Sequence, residues 1–130
     1  MSENDCVVIS GGFDPIHIGH LRMIQEAAKL GSKLIVIVNS DRFLIDKKGY
    51  AFMPINERIE IIQGFSEVYR AVECIDDDMT VCKTLEQLAE EENIKIFANG
   101  GDRKNESDIP EVKACKKYNI EMIFNVGGEK

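Results

Sequence analysis

No stretch of this 130-residue sequence approaches the roughly 20 consecutive apolar residues that a membrane-spanning helix needs, and its 44% hydrophobic content is that of a globular domain. Basic residues are outnumbered. Sixteen Lys and Arg stand against 23 Asp and Glu, for a formal net charge of −7. Proteins that grip nucleic acid need a basic footprint, so general nucleic-acid binding is not expected. The four cysteines, Cys6, Cys74, Cys82 and Cys115, form no C-x-x-C pair, which excludes a zinc knuckle and a thioredoxin-like motif. They read as small buried apolar residues in a reducing compartment. The first ten residues hold two acids and no basic cluster, so they read as a cytoplasmic start and not as a signal peptide. Internal repeats, low-complexity tracts and Pro/Gly/Ser linkers are also missing. Residues 1–130 are therefore expected to form a single domain.

What is present is an alternation of two kinds of segment. Short apolar runs, Cys6 to Ser10, Leu34 to Val38 and Ile94 to Ala98, read as buried strands, with weaker ones at Ala71 to Ile75 and Ile120 to Phe124. Between them, helical spacing predicts helices from Gly19 to Leu30 with Gly31 as cap, from Pro54 onward with Ile55, Ile59 and Ile62 on one face, from Thr80 to Glu92, and from Pro110 to Tyr118. Asp76, Asp77 and Asp78 place negative charge at the start of the third of these. Asn39 to Met53 lacks a clear period and reads as a long loop. The pattern predicts an α/β, Rossmann-like fold, a five-stranded parallel sheet in order 3-2-1-4-5 with helices on both faces. Ligands of such sheets bind beyond the strand carboxyl ends where the order reverses, here between the first and fourth strands.

The loop after the first strand is the most unusual in the chain. Gly11 and Gly12 permit a tight turn and close backbone approach to a ligand, and Pro15 stiffens the loop. Gly19 and His20 open a helix, whose N-terminus attracts anions. His17 and His20 are the only histidines in the chain. Spaced i, i+3, they can face one way and donate hydrogen bonds to phosphoryl oxygens. A protein-held metal is not expected, because no further His, no nearby Cys and no H-E-x-x-H spacing accompanies them.

As a block, Gly11-Gly12-Phe13-Asp14-Pro15-Ile16-His17-Ile18-Gly19-His20 resembles the G-x-F-D-x-x-H-x-G-H signature of cytidylyltransferase-like nucleotidyltransferases. The resemblance implies transfer of a nucleoside monophosphate with magnesium, by in-line attack of a substrate phosphate on the α-phosphate. It assigns Gly11, Gly12, Phe13, Asp14, His17, Gly19 and His20 to the nucleotide. His17 and His20 would stabilise the transition state, and Asp14 would shape the loop or reach the sugar or metal. Lys47 and Lys48 look like the lysines that meet the acceptor's phosphate in small cytidylyltransferases, with Lys47 acting in the reaction itself. Arg58 looks like the acceptor-side arginine at the start of the next helix, the alternative being a surface ion pair with Glu57 or Glu60.

After the fourth strand, Asn99-Gly100-Gly101-Asp102-Arg103 is similar to the G-G-D element of heptose 1-phosphate adenylyltransferases and to loops of glycerol-phosphate cytidylyltransferases. Gly101, Asp102 and Arg103 are accordingly expected at the nucleotide. The family's Ser/Thr-rich segment after the fifth strand has no counterpart up to Lys130, so the likeness stops short of a specific subfamily. The expected substrates are a nucleoside triphosphate, CTP ahead of ATP, and a phosphorylated sugar or polyol. A homodimer is implied by resemblance only. A nucleotide-binding module without turnover is the alternative from another class.

Overall fold

The computed structural model describes residues 5–14, 16–76, 81–98 and 112–123, the side chains of Lys47, Lys48 and Val112 excepted. Five strands, β1 (Cys6–Gly11), β2 (Lys33–Val38), β3 (Arg70–Glu73), β4 (Ile94–Ala98) and β5 (Glu121–Ile123), form one sheet in order β3-β2-β1-β4-β5. Every neighbouring pair is parallel. This is the order expected from the alternating segments. Helices α1 (Ile18–Ala28), α2 (Asp41–Lys48), α3 (Ile55–Gln63), α4 (Cys82–Glu91) and α5 (Val112–Lys117) make the connections.

Because successive strand side chains point to opposite faces, each central strand feeds two cores. Val7 and Ile9 of β1, with Leu34, Val36 and Val38 of β2, pack against Ile24 and Ala27 of α1 and Ile62 of α3. Cys6, Val8, Ile35 and Ile37 face the other way, onto Leu85 and Leu88 of α4 and Ala114 and Cys115 of α5. That division explains the unbroken apolar runs in β1 and β2: both faces are covered. In β4 the alternation slips once. Cys6 pairs with Ile94 but Val7 pairs with Ile96, so Ile94 and Phe97 share a face although three residues apart.

Most element ends fall within two residues of expectation, and one element was not expected. Helix α1 ends at Ala28 with Lys29 as its cap, and Gly31 lies in the turn beyond. The segment read as a long loop contains α2, whose start is capped by the Ser40 hydroxyl accepting from the Phe43 amide at 3.0 Å. Gly49 ends it at φ 91°, a left-handed conformation that costs glycine little, with its amide on the Ile45 carbonyl. Among the described side chains of α2 only Leu44 is buried, which is why no apolar period announces the helix.

Candidate functional site

The carboxyl end of β1 leads into the loop that carries the histidines. Gly11 holds the loop's base, its carbonyl accepting from the Asn39 amide at 2.9 Å. At Phe13 the chain turns through φ 52°, a left-handed conformation costing a bulky residue about 1 kcal/mol or more. The turn drops the Phe13 ring into the α1/α3 core at 2% exposure. Phe13, expected among the nucleotide contacts, thus has its side chain in that core. Its ring meets His20 edge-on, with centroids 4.8 Å apart.

His17 and His20 cap α1 reciprocally. His17 is the N-cap, and its Nδ1 accepts from the Gly19 amide at 3.1 Å. The His17 amide in turn donates to Nδ1 of His20 at 3.2 Å. This is a capping box with imidazoles in place of the usual hydroxyl and carboxylate. It bears on the chemistry in two ways. The rings lie 4.0 Å apart with planes tilted by 30°, so the two imidazoles sit against one another. With each Nδ1 accepting, each neutral ring carries its proton on Nε2, which makes Nε2 the ring's donor. Gly19 is required for the arrangement, since a Cβ there would come within 2.9 Å of Cε1 of His17.

Arg58 lies where the sequence did not place it. Expected to meet an acceptor or to pair on the surface with Glu57 or Glu60, it is fully buried at 0% exposure. Its Nε donates to the Met53 carbonyl at 2.8 Å, and Nη1 donates to the carbonyls of Gly12 at 2.8 Å and Asn39 at 2.7 Å. Nη2 pairs with the Asp41 carboxylate at 2.5 Å. One guanidinium therefore ties together the histidine loop, the end of β2, the start of α2 and the segment before α3. Burying a charge is costly unless it is paired and hydrogen-bonded, and this one is both.

Asp14 adds a second tie. Its two carboxylate oxygens accept from the backbone amides of Phe52, at 2.6 Å, and Met53, at 2.5 Å. Asp41, Asn39 and the Met53 peptide were not singled out from sequence, because their partners lie in other segments of the chain. Lys47 and Lys48 fall in the last turn of α2, and their side chains lie outside the described residues. So do Gly101, Asp102 and Arg103. What the fold supplies is the end of β4 at Ala98, on a strand hydrogen-bonded to β1 and running parallel to it, at the sheet reversal. Among the described residues, no three His, Cys, Asp or Glu side chains gather to hold a metal ion. No helix there is long and apolar enough to cross a membrane.

Comparison with known proteins fits this geometry. The cytidylyltransferase-like family model matches residues 8–125, and the chain belongs to that family. The bifunctional protein HldE of Streptomyces coelicolor is 33% identical over 126 residues, covering 95% of this chain but 26% of HldE. FAD synthase of Thermococcus sibiricus is 32% identical over 121 residues, covering 90% of this chain and 77% of that protein. A solved lipopolysaccharide core biosynthesis protein from Thermoplasma volcanium superposes with a TM-score of 0.73 at 24% identity, over 94% of this chain and 96% of its own, and shares the fold.

Proposed function

We propose that this chain transfers a nucleoside monophosphate from a magnesium-bound nucleoside triphosphate to a phosphorylated small molecule, releasing pyrophosphate. The observation that carries the reading is the imidazole pair at the start of α1, with both Nδ1 atoms accepting from backbone amides and each ring's donor therefore on Nε2. An acceptor phosphate oxygen attacks the α-phosphorus, and the bond to the bridging oxygen breaks as pyrophosphate departs. Such transfers depend on positioning and charge stabilisation and need no covalent intermediate on the protein. His17 and His20 donate to the oxygens on which charge accumulates, from positions already fixed by the capping box. Lys47 and Lys48, at the end of α2, are the proposed cations for the acceptor's phosphate, and Gly101, Asp102 and Arg103 the proposed nucleotide contacts after β4. Magnesium would be carried mainly by the triphosphate, would need few protein ligands, and would offset the phosphates' negative charge.

ATP is now the better-supported nucleotide than CTP. FAD is a flavin phosphate joined to AMP, so a relative named for its synthesis handles an adenylyl group. The acceptor proposed is a phosphorylated sugar, with a flavin phosphate as the second reading that the same relative favours. Thermal shifts with ATP, CTP, GTP and UTP plus magnesium test the assignment, since a ligand at 100 times its Kd adds about 2.7 kcal/mol of stability. A shift with CTP and none with ATP reverses the nucleotide. Binding without pyrophosphate release from any acceptor would instead make the chain a nucleotide-binding module.

A further inference from the structure

We propose that Asp14 is a positioning residue: its carboxylate fastens the segment between α2 and α3 onto the histidine loop, and it acts through that segment without touching nucleotide or metal. The inference rests on the reading of this site as a nucleotidyltransferase centre and refines it. Three observations carry it. The first is that both carboxylate oxygens are directed at backbone amides, those of Phe52 and Met53, 38 and 39 residues away in the chain. The second is that the contact closes a ring. Met53 gives its amide to Asp14 and its carbonyl to Arg58, and Arg58 returns to the carbonyl of Gly12, two residues before Asp14.

The third is that the segment is weakly buried. Tyr50 is 57% exposed and Phe52 66% exposed, so their large side chains contribute little burial to hold this stretch of backbone. Its place beside the histidines depends on polar ties, and charge-assisted bonds to backbone amides are among the stronger ones. The segment comes directly after α2, which carries Lys47 and Lys48, so the clasp sets where the acceptor side stands relative to the imidazoles. Loss of the clasp should therefore be felt by the acceptor more than by the nucleotide.

Amide hydrogen exchange on the full chain tests this, with Asp14→Ala and Asp14→Asn beside the unaltered protein. In Asp14→Ala, exchange at Phe52 and Met53 should accelerate by about tenfold or more, while the amides of β2 stay protected. Asp14→Asn keeps one acceptor oxygen, so it should fall between and serves as the folded comparison if the alanine variant does not fold. Calorimetry with a non-hydrolysable magnesium–nucleotide should find affinity within about threefold of the unaltered protein, while the acceptor KM rises by about tenfold. Unchanged exchange at residues 52 and 53 would overturn the clasp. Loss of nucleotide binding with those amides still protected would also overturn it, making Asp14 a direct ligand. If the unaltered protein binds no nucleotide, the nucleotidyltransferase reading fails, and the exchange rates still decide whether Asp14 holds the segment.

Discussion

Asp14 and Asp76 use the same chemistry on opposite sides of the sheet. Each offers two carboxylate oxygens to two consecutive backbone amides, Phe52 and Met53 for Asp14, Lys83 and Thr84 for Asp76. Asp76 is buried at 7% exposure and spans seven or eight residues, adding the Thr84 hydroxyl at 2.7 Å, so it caps α4 locally and stabilises a helix. Asp14 is half-buried and reaches across 38 residues to a loop beside the histidines. A carboxylate that caps the helix following it in the chain stabilises an element, whereas one acting across 38 residues sets the relation between elements. The two sides also differ in their buried charge. The α1/α3 side holds the Arg58 guanidinium, and the α4/α5 side is packed by apolar residues and thiols around Asp76.

The strongest way to break the comparison is to remove the charge under the site. Arg58→Leu leaves the carbonyls of Gly12, Asn39 and Met53 and the Asp41 carboxylate without their donor, and should cost about 3–5 kcal/mol in urea unfolding. A loss below about 1 kcal/mol would mean that water replaces the guanidinium and that the loops do not rely on it. Next comes chemistry without much stability. His20→Ala should lower turnover by ~10²-fold, the scale of one lost transition-state donor, while unfolding moves by less than about 1 kcal/mol. Full turnover in a folded His20→Asn protein would make the imidazole structural.

Asp76→Ala sharpens the contrast with Asp14. Losing the cap of α4 should cost about 1–2 kcal/mol in thermal unfolding, with nucleotide affinity unaltered. A change in affinity would show that the two sides of the sheet are coupled. The smallest expected effect concerns the thiols. Burial pushes the Cys74 and Cys6 thiols up from their ordinary value, so less of the reactive thiolate is present at neutral pH. A thiol reagent should therefore label half-buried Cys82 before Cys6, Cys74 or buried Cys115, as mass spectrometry of the partly reacted protein would show. Equal labelling of Cys74 and Cys82 would reveal that the α4 side opens readily.

How much of the fold and site was legible in the chain depended on the distance over which each interaction works. The capping signals of α2 were present in Ser40, Asp41 and Gly49, yet the segment read as a loop because a helix that buries little shows no apolar period. Arg58 was noticed, and its surroundings were misjudged. An arginine between Glu57 and Ile59 looks like an exposed one until the helix packs and turns it inward. The slip in β4 was invisible for a related reason, since register is a property of two strands.

By itself the sequence determined the strand and helix alternation and the histidine pair, because apolar runs, helical spacing and the His17-to-His20 capping geometry are all settled within a few residues of chain, and the parallel sheet follows from that alternation. Only the tertiary structure decided that Phe13 would turn inward beneath His20, that Arg58 would be sealed under four segments, and that Asp14 would reach Phe52 and Met53. Those outcomes depend on which backbone donors and acceptors the sheet and helices leave unpaired near one another. Every buried polar group must find a partner, and the partner available at a given place is chosen by the packing of elements far apart in the chain.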